Sequence, residues 1–245
     1  MYDNLKKKYG QNFLIDKNIS LKIINLISQD NLNILEIGPG DGKLTEKILE
    51  KKPNNLDIIE IDKDLIKDLN NKFLKYKFVN IINNDVIKCN LDKDYDLVIS
   101  NLPYNLSSKV LEKLILIKNV PKFMILMFQK EFAERLLNKN LNSINSLIKC
   151  FFSIDLKFNV SKNCFRPSPK IQSSVLVFNK LNKSLISKNE IESFIKFKRY
   201  IFSYKRKTLR KILKNYNFEN NFNLDLRAEN LNLSDLIKIF RAINF

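Results

Sequence analysis

The sequence predicts an α/β chain in which a mostly parallel, seven-stranded sheet is followed by a small all-α domain. Three observations predict it. Short apolar runs alternate with helical segments from Asn33 to Lys180, the pattern of a parallel sheet covered on both faces. Three of the chain's four glycines fall in the turn after the first of these runs. After Phe178 the strand pattern stops, and segments of helical periodicity replace it.

The strand candidates are NILEIG (33–38), LDIIEI (56–61), KFVNII (77–82), YDLVIS (95–100), KFMILMF (122–128), DLKFNV (155–160) and SSVLVF (173–178). Between them Gly42–Lys52, Asp64–Phe73, Ser107–Ile117 and Glu131–Leu137 read as helices. The last two strands have no convincing helix between them, which predicts an antiparallel hairpin. A polar stretch, NKLNKSLISKN, then leads to helical patterns over Glu190–Lys198, Phe202–Leu213 and Ser234–Ile243. A boundary near residue 182 therefore separates a Rossmann-like domain, 1–182, from a helical domain, 183–245. The Asn/Lys-rich pieces Asn138–Asn145 and Asn215–Asn223 read as loops.

Composition excludes several classes of chemistry. There is no histidine, and Cys89, Cys150 and Cys164 are far apart, so a structural zinc site and any His-based triad or general base are ruled out. No metal is expected. MYDNLKKKYGQNFL is too polar for a signal peptide, and no apolar run approaches membrane-spanning length. A soluble, cytoplasmic, monomeric protein is the expectation. The formal charge of +17 suggests a polyanionic partner. Yet the chain is rich in Lys, Asn, Ile and Phe, a bias that AT-rich coding produces unaided, so composition alone does not decide.

The glycines are more informative. In so Gly-poor a chain, Gly38, Gly40 and Gly42 in the turn ILEIGPGDG imply unusual dihedrals or close approach of a ligand. The next strand ends about twenty positions later in Glu60, placed to accept from both ribose hydroxyls as in dinucleotide folds. The alternative is a solvated carboxylate at a strand end. Asp85, after the third strand, could accept from an adenine amino group; taken alone it reads first as a helix N-cap. No Gly-Lys-Ser/Thr follows the loop, and Asp41 would repel a pyrophosphate. A cofactor with ribose, adenine and a zwitterionic amino acid but no phosphate fits better, and S-adenosylmethionine is such a molecule.

The fourth strand ends in Asn101-Leu102-Pro103-Tyr104, and an Asn-x-Pro-Tyr turn at that place matches the tetrapeptide of methyltransferases that act on planar amino groups. The residue types explain themselves. An adenine amine is a poor nucleophile because its lone pair is delocalised. Acceptance of its two N–H bonds by the Asn101 side-chain oxygen and the Leu102 carbonyl draws that pair out of conjugation, so positioning replaces a base. Tyr104 offers a face for the base to stack on, and on this reading Tyr104→Phe keeps most of the activity.

With these residues in view, the chain resembles the ribosomal RNA adenine dimethyltransferase family, and its small-subunit branch more than its antibiotic-resistance branch. The similarity runs from about Lys6 to Asn232. It is carried by KKKYGQNFL (6–14), ILEIGPGDGKLT (34–45), IEID (59–62), NND (83–85), SNLPYNLSS (100–108), FQKEFAERL (128–136), FRPSPKIQSS (165–174), KRKTLRK (205–211) and LRAENL (226–231). The resemblance implies that Asn12 and Leu14 fold over the cofactor and that Gly38 and Gly40 approach it. Glu60 would hold the ribose, Asp85 the adenine amine, and Asn101 both cofactor and substrate, while Phe165 would face Tyr104 across the target base. It further implies two adjacent adenosines in a hairpin loop of small-subunit rRNA as the target, presented by an immature small ribosomal subunit. Two places depart from the family pattern: Ser143–Leu147, and Gln172 where the family often has Asp.

From Lys183 onward there are fourteen Lys/Arg against six Asp/Glu. On a helix, Arg206, Arg210 and Lys214 would share one face with Lys207 and Lys211 beside them, forming a ridge for RNA phosphates. Three other readings compete: a macrolide-resistance dimethylase of large-subunit RNA, a non-catalytic assembly factor, and a DNA adenine methylase. FRPSPK, KRKTLRK and LRAENL argue against the first, and the intact Asn101–Tyr104 and ILEIGPG against the second. The third more often carries Asp in place of Asn101.

Overall fold

The structure is a computed structural model that describes residues 11–216, 222–243 and 245. Lys6–Gly10 of the N-terminal motif and the middle of Asn215–Asn223 lie outside the described residues. The chain divides into two compact units, the first drawn from the chain up to Ala133 and from Asp155–Lys180, the second from Glu134–Ile154 and Leu181–Phe245.

The first unit is built on the predicted sheet. After β1 (Phe13–Leu14) and α1 (Lys17–Ile24) come β2 (Asn33–Ile37), α2 (Lys43–Leu49), β3 (Asn55–Glu60), α3 (Lys63–Phe73), β4 (Val79–Asn83), β5 (Leu97–Asn101) and α4 (Ser107–Leu116). Then follow β6 (Phe123–Gln129), α5 (Lys130–Leu137), α6 (Asn145–Ile148), β7 (Phe152–Val160), β8 (Phe165–Arg166) and β9 (Ser173–Lys180). The sheet order is β4-β3-β2-β5-β6-β9-β7. The pairings among β4, β3, β2, β5 and β6 are parallel, and β9 runs antiparallel to β6. β2, β3, β5 and β6 are buried along nearly their whole length, as strands inside a parallel sheet are. Edge strand β4 is only partly buried along its length.

All seven predicted strands are present, with ends shifted by up to three residues. An eighth and ninth, the short antiparallel pair β1 and β8, were not foreseen. Two-residue strands carry no periodicity to read. Asp16 caps α1, its Oδ1 accepting from the N–H groups of Asn18 and Ile19 at 2.8 and 3.0 Å. The strand order reverses between β2 and β5: the chain moves outward through β3 and β4, then returns to the other side of β2. Crevices in open α/β sheets form at the carboxyl ends of such a pair.

The second unit contains α6, α7 (Ile191–Ser203), α8 (Leu209–Ile212) and α9 (Leu233–Ala242). Phe194, Phe197 and Phe240 form its aromatic centre, with ring centroids 5.2 to 6.1 Å apart. Arg241 grips Glu190 through two N–H bonds of 2.7 and 3.2 Å, holding that carboxyl down at about 2. The unit also takes in Glu134–Ile154, which the strand pattern alone leaves with the sheet. Backbone bonds from Leu141 to Glu229, Leu181 to Phe151 and Leu185 to Cys150 tie that segment in.

The departures at Ser143–Leu147 and Gln172 are locally self-consistent. Asn145 is fully buried, and its Nδ2 donates to the carbonyls of Arg135, Asn138 and Asn140. Gln172 is exposed and contributes a backbone carbonyl that accepts from Lys130 at 2.9 Å.

The expected helix over Phe202–Leu213 is interrupted between Ser203 and Leu209. α7 ends at Ser203, Tyr204 leaves the helical region (φ −99°, ψ 65°), and Lys207 N–H closes a turn on the Tyr204 carbonyl at 3.1 Å. Thr208 is extended and bridges to Arg227, and the N–H groups of Leu209 and Arg210 donate to the carbonyls of Leu226 and Leu224 at 2.9 and 2.8 Å. Pairing with the 224–227 segment thus replaces the helical bonds that the periodicity suggested. Arg206, Arg210 and Lys214 consequently do not share a helical face.

Candidate active site

The register Ile37↔Ser100 between β2 and β5 sets the glycine turn beside the Asn101 turn, and the Ser100 hydroxyl donates to the Ile37 carbonyl at 2.5 Å. Gly38, Gly40 and Gly42 all have positive φ, 66°, 61° and 82°, which a side chain would strain. Their surroundings differ. A Cβ on Gly40 would sit 2.5 Å from the Phe13 ring, whereas one on Gly38 would meet nothing within 4 Å. Gly40 is thus the seat of the N-terminal strap, and Gly38 opens on a cavity.

That cavity lies within the first unit. Of the residues singled out for cofactor or substrate, Asn12, Leu14, Gly38, Gly40, Glu60, Asp85, Asn101, Leu102, Pro103 and Tyr104 all line it. Phe165 does not. It pairs with Leu14 in the β1–β8 register, and its ring, 2% exposed, belongs to the hydrophobic core. The backbone of Phe165 is thus tied to the strap, with its ring buried and the neighbouring Arg166 exposed.

Glu60 is 5% exposed. Its Oε1 accepts from Asp62 N–H at 2.9 Å and its Oε2 from Gly40 N–H at 3.3 Å, so the carboxylate also braces the glycine turn. Burial pushes its pKa up against the opposing pull of those N–H groups. It is no solvated strand end. Asp85 uses Oδ1 to accept from Ile87 N–H at 2.9 Å, an Asx turn rather than the N-cap of a helix, since residues 86–88 form a turn. Asp41 pairs with Lys43 at 3.2 Å.

The Asn-Leu-Pro-Tyr turn is held at both ends. Asn101 Nδ2 donates to the Asn12 carbonyl at 2.9 Å. Since the amide nitrogen is the donor there, Oδ1 is the atom left to accept from a ligand. Leu102, 1% exposed, donates its N–H to the Met127 carbonyl at 3.3 Å. The Tyr104 hydroxyl lies 2.9 Å from Ser173 Oγ, and burial raises its pKa.

One further cavity residue was missed. Glu36, in the middle of β2, is 1% exposed and accepts from Thr45 Oγ1 at 2.6 Å through Oε2. Its Oε1 is the one buried side-chain polar atom without a partner among the described residues. Burial first, then the nearby charges of Glu60 and Asp41, lift its pKa to about 8, with the Thr45 bond opposing. The signal was present, a carboxylate inside the apolar run NILEI, which an ordinary buried strand would exclude.

The seven-stranded fold with this cavity at its switch point is that of an α/β methyltransferase, a class whose chemistry depends on S-adenosylmethionine. A sequence model of the family described as "Ribosomal RNA adenine dimethylase" matches residues 2–243. The chain belongs to that family and is an enzyme of its kind. It is 38% identical to the "Ribosomal RNA small subunit methyltransferase A" of Mycoplasmopsis pulmonis, over 96% of this chain and 97% of that protein. Among solved structures it is similar to a dimethyladenosine transferase from Plasmodium falciparum, with a TM-score of 0.81 and 27% identity over 95% of this chain and 97% of the other. It also resembles the 23S rRNA methyltransferase ErmE, with a TM-score of 0.75 over 96% of this chain and all of that one. At 17% identity the latter likeness is one of fold alone.

Proposed function

We propose that the protein transfers two methyl groups from S-adenosylmethionine to the exocyclic amine of each of two adjacent adenosines in the 3′-terminal hairpin loop of small-subunit rRNA, as part of small-subunit maturation in the cytoplasm. The observation that carries this reading is the orientation of Asn101. With Nδ2 committed to the Asn12 carbonyl, Oδ1 is an acceptor fixed beside the cofactor cavity. An amine N–H bound there has its lone pair drawn out of the ring, and no ionisable base is needed. The lack of histidine is consistent with that.

The cavity suits the cofactor chemically. Glu60 would take the ribose hydroxyls, since each of its oxygens has lone pairs beyond the backbone bonds it accepts, and Asp85 Oδ2 would take the adenine amine. Gly38 leaves room for the methionine part, and the unpartnered Oε1 of Glu36 suits its ammonium. Bound there, S-adenosylmethionine supplies an electrophilic sulfonium methyl. Asn12 and Leu14 close over it from the strap. The Leu102 carbonyl would serve as the second acceptor, and Tyr104 would stack the base, which must be unpaired or flipped to enter. Phe165, buried in the core, is left out of this assignment.

The helical segment 183–245 would supply the RNA contacts through Arg206, Lys207, Arg210, Lys211 and Lys214, all exposed, with the enzyme acting as a monomer on the immature small subunit. The test is incubation of undermethylated small subunits with labelled cofactor, followed by nucleoside analysis. Dimethyladenosine is expected, with monomethyladenosine as an intermediate. Monomethyladenosine alone, or methylcytosine, would refute the assignment.

A further inference from the structure

The parallel strand β6 ends at Gln129, which is in register with Ser173, the first residue of antiparallel β9. Ser173 therefore sits at the same end of the sheet as the Asn-Leu-Pro-Tyr turn, although β6 lies between β9 and β5. Its side chain is fully buried, and its hydroxyl lies 2.9 Å from the Tyr104 hydroxyl, in hydrogen-bond contact. A serine hydroxyl at a fully buried position is unfavourable unless hydrogen-bonded, and an alanine would fill the place without that penalty. The packing alone therefore gives no reason for an oxygen there. Tyr104 gives one.

We propose that Ser173 is a positioning residue for the methyl transfer, fixing the Tyr104 ring in the plane on which the target base stacks. The backbone end of Tyr104 is held by the short 3-10 turn Tyr104–Leu106, closed by Leu106 N–H on the Pro103 carbonyl at 3.0 Å. Ser173 holds the far end. The phenolic O–H lies in the plane of its ring, so a partner at a fixed point selects a ring plane as well as a ring position. The flipped base then meets a face already set, and less ordering is left for the encounter. The phenol is thus more than a flat surface, which reverses the expectation that Tyr104→Phe keeps most activity.

This inference rests on Tyr104 being the stacking face, and one set of variants separates the two claims. Steady-state kinetics on small-subunit RNA would compare wild type with Ser173→Ala, Tyr104→Phe and the double variant, with S-adenosylhomocysteine affinity and thermal midpoint as controls. Ser173→Ala and Tyr104→Phe should each lower kcat/KM for RNA about five- to tenfold, the factor associated with one buried hydrogen bond. The double variant should be no worse than either, and cofactor affinity should match wild type. Wild-type kcat/KM in Ser173→Ala, or a loss in the double variant equal to the product of the two singles, would overturn the proposal. If Ser173→Ala does not fold, Tyr104→Phe leaves β9 intact, and wild-type kinetics there would overturn it equally. Full activity in Tyr104→Ala would instead overturn the stacking reading itself.

Discussion

The crevice at the carboxyl ends of β2 and β5 and the basic segment Tyr204–Lys214 show two kinds of order. In the crevice the reactive side chains are held by buried or half-buried partners: Asn101 by the Asn12 carbonyl, Tyr104 by Ser173, Glu60 by two N–H groups, Glu36 by Thr45. In the basic segment the charged groups are exposed, and what holds them is local, Arg210 on Asp225 and Lys207 over the Tyr204 ring at 4.6 Å. Preorganised donors and acceptors in a dry site are strong and intolerant of change, whereas exposed charges are individually weak and partly interchangeable. Variants in the two regions should therefore differ in both size and kind of effect.

The largest effect is expected at Asn101. Replacement by Ala removes the fixed acceptor while the cofactor contacts of Glu60 and Asp85 remain. Turnover with cofactor and RNA saturating should fall roughly a hundredfold or more, as when a preorganised polar group is lost from a transition state. Monomethyladenosine should accumulate, because the singly methylated amine has one N–H left to hold. An enzyme with wild-type rates for both transfers in single-turnover kinetics would remove the mechanism.

Glu60→Ala comes next. Hydrogen bonds to a charged group are worth about 1.5–3 kcal/mol, so S-adenosylhomocysteine affinity should drop roughly ten- to a hundredfold, with RNA affinity unchanged. Calorimetry decides it, and unchanged cofactor affinity would reduce Glu60 to a brace for the glycine turn.

Glu36 gives the crevice a pH signature that the basic segment cannot have. Its pKa rises from an ordinary 4.5 to about 8 on folding. A carboxyl raised in the folded state contributes stability in full below pH 4.5 and loses it as pH climbs to 8, by about 1.4 kcal/mol per unit at most. The free enzyme should thus lose stability across that window, and Glu36→Gln should flatten the loss. An ammonium bound at Oε1 would favour the ionised form, so S-adenosylhomocysteine binding should release a proton below pH 8. Its affinity should gain up to about tenfold per pH unit there. Calorimetry in buffers of different ionisation enthalpy reads the proton directly, and equal proton release from wild type and Glu36→Gln would assign it elsewhere.

The two regions also differ in how far the sequence revealed them. The sheet was readable because buried parallel strands are apolar throughout and their glycine turn stands out in a chain with four glycines. The cavity residues were readable for a related reason: a motif at a strand end is placed by the strand. Partners far along the chain were not. Ser173 lies 69 residues from Tyr104, and nothing local marks its hydroxyl as bonded; the two-residue pairing of Phe165 with Leu14 is too short to leave a pattern. The basic segment failed for a physical reason as well. Arg206, Arg210 and Lys214 do repeat at helical spacing, yet exposed charges do not enforce a helix, and backbone pairing with residues 224–227 does enforce something else.

The smallest effects belong to that segment, and there the ion pair makes the sharpest distinction. Arg210 donates Nε and one terminal nitrogen to Asp225 at 2.9 and 3.2 Å, so it already faces a carboxylate, whereas Arg206 and Lys211 make no such pair among the described residues. Each phosphate neutralised by a free cation releases counterions and steepens the fall of affinity with salt, by roughly 0.7 in the log–log slope for single-stranded RNA. Replacing Arg206, Arg210 and Lys211 together by Gln should therefore weaken RNA binding and flatten the slope, leaving cofactor affinity unchanged. Within that set, Arg206→Gln and Lys211→Gln should each shift the slope more than Arg210→Gln. Asp225→Asn should act in the opposite direction, freeing Arg210 for phosphate, tightening binding at low salt and steepening the slope. Titrations across a salt series would read all five variants. Equal shifts for Arg206→Gln and Arg210→Gln would show that the pair with Asp225 opens on binding, and a triple variant with the wild-type slope would show that this segment does not touch RNA.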